Sequence, residues 1–275
     1  MRIVLIGLVL VGSFSACSKI HLFGKKEGSF SKVMKSTDYD LKLKTAEKYY
    51  VKKDYNHAQQ LYDDLFRVMK GTDHFEDIYY KYAYCSFYLK DYQNAENLYK
   101  GFGDAFPNSP KAEEMEYMRA FSYFKQSPKY ELDQTNTTKA IGYMQAFVST
   151  HPGSERTKEA QGFIEKGRAK LEQKDFSNAL LYYNLKYYRA SAIGFNSLMN
   201  SFPESERSDE YKLYIIKANY QFASMSTEER KPARLQQVVT DCNDFIDRFP
   251  ESKLKKDVQE YLDLSKNTLK SFSNE

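Results

Sequence analysis

The sequence predicts an all-α fold built from consecutive helix pairs, and two observations support that prediction. Val and Ile supply only 15 of the 259 residues after Ala16, and this scarcity of β-branched residues disfavours strands. A tetrapeptide with proline at its second position recurs four times, at spacings of 45, 51 and 47 residues. A period in this range is typical of repeat architectures. The four copies are Phe106–Ser109, His151–Ser154, Phe202–Ser205 and Phe249–Ser252.

The composition excludes several classes of protein. Charged residues make up 28% of the chain and hydrophobic residues 41%, which fits neither a disordered chain nor a multi-span membrane protein. The 41 basic and 37 acidic residues give a net charge of only +4, so we expect no nucleic-acid partner. Three cysteines in 275 residues are too few for a disulfide scaffold or a multi-cysteine zinc site.

The N-terminal residues are typical of an export signal. Residues 3–11 form an almost unbroken apolar run that is too short to span a bilayer and fits the apolar region of a secretory signal. Residues 14–17, Phe-Ser-Ala-Cys, resemble a bacterial lipobox. The resemblance implies a lipoprotein signal peptide over residues 1–16 and a lipidated Cys17 as the first mature residue. The alternative is an ordinary signal peptide with a chance cysteine.

Residues 17–36 are expected to form the lipidated N-terminus and a flexible tether, because they are rich in lysine and poor in apolar residues. Several acyl chains on one residue anchor a protein stably in a membrane. Surface-export signals in some Gram-negative groups are acidic, and no acidic run follows Cys17. The sequence therefore favours a domain anchored by lipid at the periplasmic face of a membrane.

Each proline tetrapeptide is expected to join two helices. Proline after an aromatic residue ends a helix, because the residue before proline disfavours the α region. The serine two positions after the proline can cap the next helix. Upstream of the joints, small and apolar residues recur at helical spacing. They are Ala58, Leu61, Tyr62, Leu65 and Met69, and then Ala95, Leu98, Tyr99, Phe102 and Phe106.

These helices resemble the tetratricopeptide repeat, in which small and aromatic residues alternate at fixed positions before a proline. The resemblance implies a right-handed superhelix of about five helix pairs, with three pairs in residues 37–154 and two in residues 155–275 as a continuous array. A helix from Ser252 to about Lys270 would cap the array. The third pair carries a polar insertion at residues 126–138, the fourth has a long first helix, and the fifth keeps a loop at Ser226–Lys231.

The sequence contains no recognisable catalytic or metal-binding pattern, so we predict no catalytic residue, no metal site and no cofactor. The four histidines lack metal-ligand spacing, and the chain has neither a nucleophile elbow nor a phosphate-binding glycine loop. The acidic cluster at residues 113–116 is expected to be a solvated face near a helix N-terminus. Cys85 and Cys242 are expected to be core thiols, with a reactive pair as the alternative.

An aromatic stripe is the candidate binding site. Tyr80, Tyr84 and Tyr88 are spaced four residues apart on one predicted helix. In the same register, the next unit presents Tyr117, Phe121, Phe124 and Lys125, with Arg119 nearby. An aromatic groove of this kind suits an extended peptide, and Lys125 or Arg119 could meet a carboxylate. The alternative is that these aromatic residues belong to the core.

The segment Lys170–Ser205 is similar to the central repeat of the BamD family of outer-membrane lipoproteins. It contains a Leu-Glu turn, the pair Tyr182-Tyr183, and a Tyr-x-Ala-Ser stretch ending at Ser191. The segment Cys242–Ser252 is more like the Bacteroidota branch. The resemblance covers nearly the whole mature chain and implies a non-enzymatic scaffold of the β-barrel assembly complex.

The resemblance also implies two partners. The C-terminal repeats would dock on the periplasmic POTRA domains of a BamA-like barrel protein, and the N-terminal repeats would receive unfolded barrel precursors with aromatic-ended C-termini. One alternative is a periplasmic repeat adaptor that coordinates cell-wall synthesis with envelope constriction. Another is a glycan hydrolase on a helical scaffold, which would need two positioned carboxylates in a cleft.

Overall fold

The computed structural model of the chain describes residues 30–273, which contain helices and no β-strand. The helices are α1 (Tyr39–Val51), α2 (Tyr55–Val68), α3 (Phe75–Tyr88), α4 (Tyr92–Ala105), α5 (Ala112–Lys125), α6 (Thr135–Thr150), α7 (Thr157–Asn184), α8 (Tyr188–Ser201), α9 (Ser208–Ser224), α10 (Lys231–Arg248) and α11 (Lys255–Ser273). The predicted all-α class is confirmed. Within the described residues, no helix is both long and apolar enough to cross a bilayer.

The order and packing of the helices give five consecutive pairs and a final helix. Helix α1 packs on α2, and from α4 onward each helix packs on the next one along the chain. Helix α11 packs on both α10 and α9, so it covers the last pair. This is the chain of tetratricopeptide-like pairs with a capping helix that the sequence predicts.

The described residues divide into two compact units at Cys85 and Ser86, inside α3. The core of the first unit consists of Ala46, Ala58, Leu61, Tyr62, Leu65, Ile78 and Cys85. A helical segment at residues 30–34, which the sequence places in the tether, packs Phe30, Val33 and Met34 against this core. The predicted signal peptide, Cys17 and the earlier part of the tether lie outside the described residues.

The second unit contains two compact core clusters. Helix α7 has 28 residues, as expected for the fourth pair, and its C-terminal half packs against α8 and α9. That cluster consists of Phe176, Ala179, Phe195, Leu198, Tyr211 and Ile215. The other lies among α9, α10 and α11, and consists of Leu213, Ile216, Val238, Val239, Cys242, Phe245, Val258 and Leu262.

Small residues let α8 approach α7 closely. The fully buried Ser191 donates a hydrogen bond from Oγ to the carbonyl oxygen of Ala179, at 2.9 Å. A Cβ atom on Gly194 would lie only 3.0 Å from the Cβ of Ala179. The serine that replaces alanine in the repeat pattern therefore keeps the close crossing and satisfies its own hydroxyl.

Three turns inside helix pairs share an uncommon backbone geometry. The φ angles are 60° at Lys53, 64° at Lys90 and 64° at Lys186. They lie in the left-handed region, which residues other than glycine rarely adopt. At Lys90, the N–H groups of this residue and the next donate to carbonyls of α3 at 2.9 Å each, which closes the helix as a Schellman motif. Asp54 and Asp91 follow two of these lysines and cap the next helix.

Each proline joint is held by the same serine. The Oγ atoms of Ser109, Ser154, Ser205 and Ser252 each accept a hydrogen bond at 3.1 Å from the backbone N–H two residues later. The next helix begins three residues after the serine in every case. The serine thus organises the turn before the helix and is not itself the capping residue that the sequence predicts.

Three of these serines also donate to a carboxylate on the first helix of the pair that they close. The bonds are Ser154–Glu113 at 2.5 Å, Ser205–Glu172, and Ser252–Asp209 at 2.6 Å. In each of these joints, the serine stands at the end of one helix pair. Its hydroxyl accepts a bond from the turn before the next pair and donates one to the first helix of the pair that has just ended. The joint angle is fixed by these three attachments.

The acidic cluster at residues 113–116 lies at the start of α5, where Glu113 and Glu116 are exposed as predicted, and it also belongs to one of these joints. Its three carboxylates bind the joint that follows α6. The contacts are Glu113 with Ser154, Glu114 with Arg156 at 2.9 Å, and Glu116 with His151 Nε2 at 2.9 Å. The sequence could not show this, because the partners lie 35 to 42 residues away along the chain.

Replacing Lys90 by glycine should stabilise the protein. Glycine removes the cost of the left-handed conformation, roughly 1–2 kcal/mol, while it adds entropy to the unfolded chain, so we expect a net gain of about 0.5 kcal/mol in the free energy of unfolding. Chemical denaturation would measure it. The control Lys100→Gly, at an exposed position inside α4, should lose about 1 kcal/mol, and a loss at Lys90 as well would contradict the account.

Replacing Ser205 by alanine should destabilise the protein. The substitution leaves the backbone N–H of Arg207 and the carboxylate of Glu172 each without one partner, so we expect a loss of about 1–3 kcal/mol. Thermal and chemical unfolding would measure the loss. Ser197→Ala, at an exposed position in α8, is the matched control and should change stability by less than about 0.5 kcal/mol.

Candidate functional site

The predicted aromatic stripe falls partly in each unit, and each part has its own environment. In the first unit, the rings of Tyr80 and Tyr84 have centroids 4.9 Å apart. Tyr84 is only 7% exposed, whereas Tyr80 is half-buried. At the end of α3, in the second unit, Tyr88 is 47% exposed and its ring meets that of Phe87 edge-on at 6.0 Å.

In the second unit, Phe121 lies at the centre of a row of rings that we call the aromatic row. Its members are Phe87, Tyr117, Phe121, Phe124 and Phe163. The ring of Phe121 stacks on those of Phe87 at 5.7 Å and Tyr117 at 6.0 Å, and its centroid lies 5.0 Å from that of Phe163. Phe124 completes the row 4.5 Å from Phe163. Within the row, the ring of Tyr117 is buried, while the other four rings are half-buried.

Two lysines place positive charge over the aromatic row. The Nζ atom of Lys125 lies 4.8 Å from the centroid of Phe121, and Nζ of Lys166 lies 5.4 Å from that of Phe163. Both lysines are exposed, and neither forms an ion pair within residues 30–272. A surface with aromatic faces and uncompensated cations suits a chain that presents apolar side chains together with a carboxylate.

Arg119 lies in a different set of contacts. Its Nη2 donates to the hydroxyl of Tyr143 at 2.8 Å, its guanidinium lies 4.2 Å from the centroid of that ring, and its Nε is 3.6 Å from a carboxylate oxygen of Glu96. Burial, and then a hydrogen bond to the same carboxylate, raise the pKa of the neighbouring Tyr123 to about 12. Arg119 is therefore engaged in packing α5 against α4 and α6. Of the two cations that the sequence predicts for the site, only Lys125 lies at the aromatic row, where Lys166 joins it.

A second surface, which the sequence analysis did not identify, lies at the turn between α7 and α8. It is an open pocket of about 550 Å³, lined by Lys186, Tyr187, Arg189, Ile193, Phe222 and Met225 together with Tyr188 and Ala190. Three of the apolar side chains are unusually exposed, at 62% for Tyr187, 61% for Ile193 and 69% for Met225. Large apolar side chains grouped in this way mark an interaction surface.

The sequence contains a signal for this pocket. The turns of the first two pairs read Lys-Asp-Tyr, at residues 53–55 and 90–92, but the corresponding turn of the fourth pair reads Lys-Tyr-Tyr at residues 186–188. A tyrosine thus stands where aspartate caps a helix elsewhere. Comparison of the turns with one another, and not only of the helices, would have identified the position.

The described residues also bear on the predictions for metal ligands and for the two cysteines. No group of three or more His, Cys, Asp or Glu side chains in residues 30–272 could hold a metal ion. Cys85 and Cys242 are fully buried free thiols, and burial raises the pKa of each to about 12. The interpretation of both cysteines as core thiols is confirmed.

Comparison with known proteins identifies a family. A family model described as YfiO, outer membrane lipoprotein, matches residues 38–225, about two thirds of the chain. The matched residues extend from α1 to the end of α9 and include both the aromatic row and the pocket at residues 186–193. No curated protein matches the chain significantly.

Neither core thiol should react while the protein is folded. With a pKa of about 12, only about one thiol in ten thousand is ionised at pH 8, and the thiolate is the nucleophile. A Cys17→Ser variant should therefore show no rapid reaction with a thiol reagent at pH 8, and two reactive thiols per chain after denaturation. Fast labelling of the folded protein would contradict this assignment.

Proposed function

Because the chain belongs to the YfiO family of outer membrane lipoproteins, we propose that it is a periplasmic scaffold subunit of the β-barrel assembly machinery. The observation that supports this most strongly is the family match over α1 to α9, which coincides with an array of helix pairs. A helical-repeat array offers extended surfaces for other proteins. Lipidation of Cys17 would hold the scaffold at the periplasmic face, and the Bacteroidota-like branch stays a prediction.

In this proposal, the aromatic row receives the unfolded precursor. A precursor strand presents aromatic side chains on one face, and these can stack on Phe121, Phe124 and Phe163. The carboxylate at the precursor C-terminus can bind Lys125 or Lys166, which are exposed and lie directly over the rings. In the first unit, Tyr80 and Tyr84 are a separate candidate surface for the precursor, and the ring of Tyr80 is half-buried against Tyr84.

The C-terminal repeats, from residue 155 onward, would dock on the POTRA domains of a BamA-like barrel protein. Their helices form continuous packed layers, from the long α7 through α11, with two core clusters that bury eight and six residues. Packed helices of this kind suit a permanent subunit contact, whereas the half-buried rings and exposed lysines of the aromatic row suit a transient ligand. The two roles meet on α7, whose N-terminal half carries Phe163 and Lys166 at the aromatic row and whose C-terminal half packs against α8 and α9.

Reversing the charge at the aromatic row should weaken precursor binding. We expect Lys125→Glu combined with Lys166→Glu to lower the affinity for a barrel C-terminal peptide that ends in phenylalanine at least tenfold, about 1.4 kcal/mol, because the new carboxylates repel that of the peptide. Isothermal titration with the full chain would measure it. Lys100→Glu, at an exposed position on α4, is the matched control and should bind like the unaltered protein.

Removal of aromatic surface provides a second test of the same site. Phe124→Ser should weaken binding of the peptide to the aromatic row. Tyr80→Ala together with Tyr84→Ala tests the candidate tyrosines of the first unit and should also weaken binding, with circular dichroism as the check on folding because Tyr84 is buried. Equal affinity for the peptide in all folded variants would contradict the assignment of the aromatic row as the receiving surface.

A further inference from the structure

The turn at residues 186–188 has the backbone of a capped helix start without the cap. The residues before α2, α4 and α8 have nearly the same φ and ψ angles, at −85° and 70° for Asp54, −80° and 69° for Asp91, and −81° and 58° for Tyr187. The two aspartates accept a hydrogen bond from the third N–H of their helix, whereas Tyr187 caps nothing. Tyrosine at this position therefore gives up a stabilising contact that the same fold uses twice.

The side chain of Tyr187 makes few contacts inside the fold that could offset the missing cap. It is 62% exposed, and its one described ring contact is with Tyr182 at 6.5 Å, itself 46% exposed. Positions where a chain departs from its own local rule without a compensating internal contact are typical of functional surfaces. Tyrosine is also enriched among the residues that dominate protein–protein interfaces.

The surroundings of Tyr187 form a site for an apolar group. Ile193 and Met225 face the same open pocket of about 550 Å³, and Phe222 lines its wall. Leu181 and Leu185, at the end of α7 and just after it, are further apolar side chains that are each 55% exposed. The pocket is large enough to enclose a branched or aromatic side chain of a partner.

The rim of the pocket is positively charged. Lys186 and Arg189 line it, both are exposed, and neither forms an ion pair in the part of the chain that the structure describes. Lys186 stands at the left-handed position of the turn, with a φ angle of 64°. An apolar partner flanked by carboxylates would complement this surface in both polarity and charge.

We propose that this pocket receives an apolar side chain, flanked by carboxylates, from the POTRA-domain partner. The inference rests on the proposed function, in which the C-terminal repeats dock on that partner, and it specifies the residues and the chemistry of the contact. Tyr187 and Ile193 are the apolar anchors, and Lys186 and Arg189 bind the carboxylates.

The decisive variant is Tyr187→Asp, because it should change stability and binding in opposite directions. Aspartate restores the cap that Asp54 and Asp91 provide, so the melting temperature should rise by about 2–4 °C. The same change removes the aromatic anchor and adds a repelling charge, so the affinity for recombinant POTRA domains of the organism's BamA-like protein should fall at least tenfold. Isothermal titration with the full chain in detergent measures the affinity, and calorimetry measures the melting temperature.

Further variants separate the two parts of the contact. Ile193→Ala should weaken binding at all salt concentrations, whereas Lys186→Glu with Arg189→Glu should weaken it most at low salt and flatten its salt dependence. Val51→Ala, at an 80% exposed position on α1, is the control and should leave the affinity unchanged.

The outcomes distinguish this inference from the function on which it rests. If the unaltered protein binds the POTRA domains and Tyr187→Asp binds equally well, the pocket is not the contact, while the docking of the C-terminal repeats stands. If the unaltered protein does not bind them, the docking part of the proposed function is overturned as well. Loss of affinity in a folded Tyr187→Asp variant with a raised melting temperature supports the pocket.

Discussion

The hydroxyl of the joint serine is the contact on which the array depends. A helix pair of this type buries its apolar face only against its neighbours, so the angle between successive pairs decides whether a core forms at all. At the joint after α8, the Oγ of Ser205 accepts from the N–H of Arg207 and donates to Glu172 on α7. The hydroxyl of Tyr211 donates to the same carboxylate, and the guanidinium of Arg207 lies 3.9 Å from the ring of Phe176 in the adjacent core. Tyr211 and Arg207 thus contact both the polar joint and the apolar core beside it.

Much of this architecture is visible in the sequence because it depends on local chemistry. Proline after an aromatic residue marks the end of a helix wherever it occurs, so the four tetrapeptides located the joints, and the scarcity of Val and Ile predicted the all-α class. The partners of the joint serines were not predictable in the same way. Glu172 and Ser205 are 33 residues apart, and nothing in the sequence distinguishes that carboxylate from the others on α7.

The candidate site shows the same division between local and tertiary information. The helical register placed Phe121, Phe124 and Lys125 on one face of α5. In the structure the two phenylalanines belong to the aromatic row, and Nζ of Lys125 lies over the ring of Phe121. Phe163 joins them from α7, a contact that only the tertiary fold creates. Two residues from Phe121, Arg119 lies on another side of α5 and binds Glu96 and Tyr143, as expected for positions 200° apart around a helix. The spacing of tyrosines alone also could not show that Tyr84 and Tyr117 are buried.

The central claim is that this array of helix pairs is a scaffold subunit of the β-barrel assembly machinery. The most direct test is to purify a C-terminally tagged protein from native envelopes after cross-linking and to identify the cross-linked residues by mass spectrometry. The account predicts a POTRA-barrel protein as the main partner, with cross-links to residues after Glu155. Recovery of cell-wall synthases or envelope-constriction proteins in its place would contradict the claim, and would leave the repeat architecture without this function.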